Sequence, residues 1–328
     1  MAFLKTEIRR IADDTFIYTK SQVYYESESA GTSLNQTERR ENPDVETKLW
    51  DLVLYTISHS FTLRINAGVL NTFIMELNNV GNNKSSVYVS ISFKKLCLAT
   101  VSLPLVALLI CFVTAYIFQQ DDIHETHCRV YNVLPSISAI TGVSPQRYLW
   151  RICIALHLGP RLIIASVYHS YYYKILKTIE DVPSRIKGCR LLNLCYWLSI
   201  AEVASLCGVT YISNRENYSV HEKIFIAFMI SSLTYMLTQV RLCRLVTPNA
   251  RSLRYKQALF ITSLVTTVGL IIFFLKHRLL CHDLAFSWFS LCEYVLGSAN
   301  MAFHITVILD FPMEQLVVGN GLPALKVD

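Results

Sequence analysis

Seven of the charged or strongly polar side chains that stand within long apolar stretches of this sequence are Arg151, His157, Arg161, Glu202, Glu293, Asn300 and His304. His157 and Arg161 are four residues apart and share one face of a helix. Glu293, Asn300 and His304 are offset by seven and four and share another. A histidine titrates near neutral pH, and a carboxylate that orients it completes the minimum for a base acting on a hydroxyl. The chemistry this suggests is acyl transfer, with His157 as base and Glu293 or Glu202 as its orienting carboxylate. His221 and Glu222 stand at the edge of a further apolar stretch and add a second polar pair. A plainer reading competes: Arg161 and Glu202 form an ion pair that fixes helix packing. Polar contacts between membrane helices are worth about 0.6–2 kcal/mol each. The sequence leaves both readings open.

These side chains need elements to carry them. Apolar residues make up 52% of the 328-residue chain and charged residues 16%, against roughly 25% charged in soluble domains. The apolar residues come in blocks long enough to span a ~30 Å hydrocarbon core. Six such blocks run from about Leu96 to Phe118, Tyr148 to Tyr173, Leu191 to Ile212, Lys223 to Val240, Ala258 to Leu275 and Leu284 to Leu309. In lipid each backbone group must pair within its own segment, so each block is a helix. The blocks do not alternate at period two, which excludes a β-barrel. The expected fold is all-α: a polytopic membrane protein with a six-transmembrane-helix bundle over residues 91–311. Residues 1–90 form an expected N-terminal extension and 312–328 a C-terminal tail. Tyr25 to Asp44 has the composition of a disordered segment. Trp50 to Leu77, interrupted by Asp51, Arg64 and Glu76, is at best an interfacial amphipathic helix. Residues 1–20 lack the apolar core of a cleavable signal peptide.

Lysine and arginine near the helix ends set orientation. The side holding both ends of the bundle has the excess, through Lys94, Lys95, Lys174, Lys177 and Arg241 to Lys256. This predicts cytosolic termini and places Cys128 and Cys281 in loops on the lumenal, oxidising side, where disulfides persist. A Cys128–Cys281 bond is one expectation. A metal site drawn from His124, His127, Cys128, His277, Cys281 and His282 is a rival, though its spacing matches no standard zinc pattern, and free thiols are a third. The net charge of +6 comes without a basic stretch interleaved with aromatics, so no nucleic-acid partner is expected. The sequence has no Gly-x-Ser-x-Gly elbow, Walker loop, His-Glu-x-x-His pair or His-x-x-x-x-Asp acyltransferase pair.

One series of residues carries a family resemblance. It begins with Thr126-His127-Cys128, Leu134-Pro135-Ser136 and Pro145-Gln146-Arg147-Tyr148. It continues with Trp150-Arg151, Cys153, His157, Pro160-Arg161, Glu202, Tyr211, His221-Glu222 and Ser231-Ser232-Leu233. It ends with Glu293-Tyr294, Asn300 through His304, and Asp310-Phe311. Over residues 93–311 this resembles the post-GPI-attachment-to-proteins factor 2 family of the FRAG/DRAM-type six-span group. The resemblance implies a multi-pass protein of the Golgi membrane, with the endoplasmic reticulum as a further location. The implied role is re-acylation of lyso-GPI-anchored proteins at sn-2 with a saturated chain. Its implied partners are GPI-anchored proteins in the lyso form and membrane lipids, with no bound cofactor and acyl-CoA as the acyl donor. A non-enzymatic factor that presents lyso-GPI or the donor to a separate enzyme is the alternative. The family lends no catalytic residues, so the site rests on the polar side chains above. Arg147 and Arg151 lie at the expected level of the lipid phosphate, which arginine binds well. Arg161, His221, Asn300 and His304 are expected to contact substrate.

Overall fold

A computed structural model describes residues 86–126, 128–130, 132–246, 250–311 and 314–320. The expected disorder of 25–44 and the expected helix of 50–77 lie outside the described residues. The membrane domain opens with β1 (Ser86–Ser92), which runs directly into α1 (Phe93–Phe118). Two short helices follow, α2 (Gln120–His124) and α3 (Ile137–Gly142). Four long helices come next: α4 (Gln146–Lys177), α5 (Val182–Tyr211), α6 (Tyr218–Val246) and α7 (Ala250–Leu280). The chain closes with α8 (Ala285–Ile305), α9 (Val307–Asp310) and β2 (Gln315–Asn320).

Among the described residues, six helical stretches are long and apolar enough to cross a bilayer: α1, α4, α5, α6, α7, and α8 continued by α9. The protein is an all-α, multi-span membrane protein. Several helices run beyond their apolar blocks. α4 continues through Lys174 and Lys177, and α7 begins at Ala250, because polar ends of a spanning helix can stand in water without breaking it. The α5 start is set locally: the Asp181 carboxylate accepts from the Ser184 N–H at 3.1 Å, an N-cap.

The helices pack as a ring in chain order. α1 lies on α4, α4 on α5, α5 on α6, α6 on α7 and α7 on α8, and α8 returns to α1. The outside of the ring is apolar, with Leu109, Ile117, Trp197, Ile230 and Val265 exposed. Polar side chains such as Glu202, Arg161, His157 and Asn300 are buried inside. This inverts the soluble arrangement, as lipid on the outside requires.

Both ends of the ring are tied. At one end the structure joins Cys128, after α2, to Cys281, after α7, with 5.5 Å between their Cα atoms. α7 stops there because Cys281 takes a left-handed φ of 47°, a conformation that ends helices. With both sulfurs in the bond, neither is available as a thiolate ligand for the rival metal site. The two ring nitrogens of His124 lie 2.7 Å from the Gln120 carbonyl and 3.0 Å from the Val133 carbonyl. At the other end β1 and β2 pair antiparallel, with Ser86 opposite Asn320 and Ser92 opposite Gln315. A 3.0 Å bond from the Phe93 N–H to the Glu314 carbonyl continues the ladder. This two-stranded ribbon extends past the 91–311 boundary on both sides.

Near the ribbon, Lys256 of α7 forms an ion pair with Asp310 of α9 and donates to Ser252 Oγ at 2.7 Å. Tyr168 of α4 also donates to Asp310. Lys256 is 1% exposed. Among the charges flanking the fifth span it faces inward, because α9 brings a carboxylate to it.

Candidate functional site

The ring encloses a cavity of about 1030 Å³, its open mouth included. Apolar side chains such as Val101, Leu108, Ile154, Leu206, Phe228 and Leu296 make most of the wall. Seven of the sequence-derived candidates line it: His157, Arg161, Glu202, His221, Glu293, Asn300 and His304.

Glu202 is the hub. One carboxylate oxygen accepts from Arg161 at 2.9 Å. The other accepts from Asn300 Nδ2 at 2.6 Å and lies 3.2 Å from His304 Nε2. Asn300 also reaches Ser232 Oγ at 2.6 Å. Spans α4, α5 and α8 thus meet at one carboxylate that is 1% exposed, and α6 joins them through Asn300. A charge buried this deeply is tolerable only when paired and hydrogen-bonded throughout.

His157 is held differently from the sequence expectation. Its Nδ1 lies 2.6 Å from the Thr100 carbonyl of α1, and neither Glu293 nor Glu202 is its hydrogen-bond partner. The reason is on α1. Pro104 stands four residues after Thr100 and has no N–H, so the Thr100 carbonyl has no helical donor. In an apolar medium that carbonyl needs a partner, and His157 supplies one. A carbonyl only accepts, so Nδ1 carries the hydrogen and Nε2 keeps its lone pair. Glu293 is engaged elsewhere: its Oε2 accepts from the Ile137 N–H at 2.8 Å and so anchors the start of α3 to α8.

Arg147 and Arg151 do not line the cavity. Arg151 donates to Glu216 at 2.7 Å and to the Tyr211 carbonyl at 2.9 Å. It thereby covers a carbonyl at the C-terminus of α5, where carbonyls lack intrahelical partners. Arg147 lies 3.6 Å from Glu216. Glu216, in the loop after α5, takes both arginines because it is the anion between them.

Hydrogen bonds from the Ser213 N–H and then from Arg151 hold the Glu216 carboxyl down at about 2. A carboxyl depressed in the folded state stabilises the fold fully above its ordinary value of 4.5. That contribution is lost as the pH falls toward about 2. The expected result is that Glu216→Gln lowers thermal stability at neutral pH and that the gap to wild type narrows on acidification below 4.5. A gap that stays constant with pH would remove Glu216 from this role.

Polar groups of the cavity region that were not candidates from sequence include Thr100, Ser232 and Ser138. Ser138 of α3 lines the cavity and lies 2.9 Å from His221 Nε2, while His221 Nδ1 lies 2.7 Å from the Ile212 carbonyl. The Ser-Ser pair at 231–232 in an apolar span signalled Ser232. Nothing local signalled Ser138.

Comparison with known proteins adds the relationship. The Frag1/DRAM/Sfk1/Cwh43P N-terminal domain matches residues 92–314. The chain is 55% identical over 238 residues to a "Post-GPI attachment to proteins factor 2-like" protein of Drosophila melanogaster, covering 70% of this chain and 73% of that one. It is 36% identical over 236 residues to "Acyltransferase PGAP2" of Xenopus tropicalis, covering 70% of this chain and 91% of that one. The Caenorhabditis elegans "Post-GPI attachment to proteins factor 2" is 34% identical over 239 residues, which is 70% of this chain and 89% of that one. No solved structure matches. The family match spans the helix ring with its cavity, and with these identities it assigns the chain to the Frag1/DRAM/Sfk1/Cwh43 family, within the post-GPI attachment to proteins factor 2 group.

Proposed function

We propose that this protein remodels GPI anchors by re-acylating lyso-GPI-anchored proteins at the sn-2 hydroxyl with a saturated chain. The proposed setting is the Golgi membrane, and the proposed acyl donor is acyl-CoA. The relatives' names support the pathway, and the Xenopus relative carries the name acyltransferase. The observation that carries the reading is the cavity: apolar walls for acyl chains around a set of fixed polar groups. His157 is the proposed base. Its ring is oriented by a backbone carbonyl, which leaves Nε2 to accept the proton of a lipid hydroxyl. Glu202 is a positioning group in this scheme, because it is fully engaged with Arg161, Asn300 and His304. Arg161 and Asn300, held by that carboxylate, present the remaining polar surface to the substrate's ester region.

The deciding experiment uses purified protein in lipid nanodiscs, lyso-GPI-anchored protein and palmitoyl-CoA. Diacyl product is expected, and His157→Ala is expected to slow its formation by about 10²–10⁴-fold, the usual contribution of a general base. No product from well-folded protein would point instead to a factor that presents lyso-GPI to another enzyme.

A further inference from the structure

His221 and Ser138 have the arrangement of a nucleophile and its base. The Ile212 carbonyl can only accept, so His221 Nδ1 carries the hydrogen and Nε2 is a lone pair. At 2.9 Å the Ser138 hydroxyl is therefore the donor, with its proton directed at the ring. Nucleophile, base and orienting group stand in line. The serine is also fixed. Its helix α3 is capped by Ser136 Oγ, which accepts from the Ala139 N–H at 3.1 Å, and is pinned to α8 through the Ile137–Glu293 bond. Both Ser138 and His221 line the same cavity as His157.

We infer that Ser138 is an acyl-accepting nucleophile and that transfer passes through a covalent acyl-serine. This deepens the re-acylation reading above and rests on it. In the loading half, Ser138 Oγ attacks the carbonyl carbon of an acyl thioester and the carbon–sulfur bond breaks. The Oγ proton passes to His221 Nε2 and on to the departing sulfur. In the unloading half, the hydroxyl oxygen of the lyso lipid attacks the ester carbonyl carbon. Its proton goes to His157 Nε2 and is delivered to Ser138 Oγ as the carbon–Oγ bond breaks. Nothing is oxidised or reduced, and both histidines end as they began. The cavity thus carries two carbonyl-oriented imidazoles for two half-reactions: His221 for loading and His157 for unloading. Glu293 is a positioning residue for the serine.

The test uses full-length protein with radiolabelled palmitoyl-CoA, with and without lyso-GPI-anchored protein. Without acceptor, wild type should gain one acyl chain at Ser138, mapped by peptide mass and stable to neutral hydroxylamine as an oxygen ester. Adding acceptor should remove it. Ser138→Ala should lose both label and transfer. Ser138→Cys should take the label as a thioester that neutral hydroxylamine releases, which shows that the substituted site still folds. His157→Ala should load yet unload about 10²–10⁴-fold more slowly, so the acyl-enzyme accumulates, whereas His221→Ala should not load. Transfer by Ser138→Ala at the wild-type rate, or a wild-type label on a cysteine, would overturn the serine intermediate and leave the re-acylation reading intact. Neither label nor transfer from wild type would overturn both.

Discussion

Glu202→Ala is expected to destabilise the helix ring by about 3–5 kcal/mol, the cost of removing one partner from a buried ion pair. Glu202 holds Arg161, Asn300 and His304 from two other spans. Its loss leaves the Arg161 guanidinium, 6% exposed, without its counter-charge. Water cannot repay that inside a membrane. Glu202→Gln keeps the side-chain length and one acceptor, and so should fall between wild type and alanine. Thermal melting can be followed with a thiol-reactive dye, because eight cysteines are free and five of them are buried. An alanine variant that melts with wild type would mean that the carboxylate contributes no net stability.

Asp310→Ala should have an effect of similar size near the ribbon end of the ring, again about 3–5 kcal/mol. It strands Lys256, which is 1% exposed, and removes the acceptor of the Tyr168 hydroxyl. The informative comparison is the double variant Lys256→Met with Asp310→Leu. Replacing both members of a buried pair by apolar side chains is often neutral or stabilising, so the double variant should be more stable than Asp310→Ala. A double variant whose loss equals the sum of the two single losses would show that Lys256 and Asp310 act independently.

The spans were legible because a bilayer demands a fixed length of apolar helix, and six blocks of that length are unmistakable. The Arg161–Glu202 pairing was legible for a related reason. Opposite charges at equal depth in consecutive spans have few other ways to be satisfied. What holds His157 was not legible. Pro104 and Thr100 both stand in plain view on α1, but the sequence does not say that α4 packs against that turn. A carboxylate was the natural guess, and a proline-freed carbonyl took its place. Arg147 and Arg151 were read toward a phosphate because the sequence does not show that the loop after α5 brings Glu216 to them. Ser138 and His221 are 83 residues apart in sequence, and only the docking of α3 across the ring brings them together. The ribbon escaped notice because strands Ser86–Ser92 and Gln315–Asn320 lie far apart in the chain and outside the apolar blocks.

That ribbon has a consequence for how the molecule is made. β1 precedes the first span and β2 follows the last. An even number of crossings returns the chain to the side it left, which allows the two strands to meet. They cannot meet until the sixth span is in place. α8 also brings Asn300 and His304 to Glu202 and closes the ring against α1. A nascent chain that stops short of β2 has an unpaired strand edge on its first segment. Pairing of the ribbon therefore marks a closed helix ring, a state that quality control could distinguish from an open one by that edge alone.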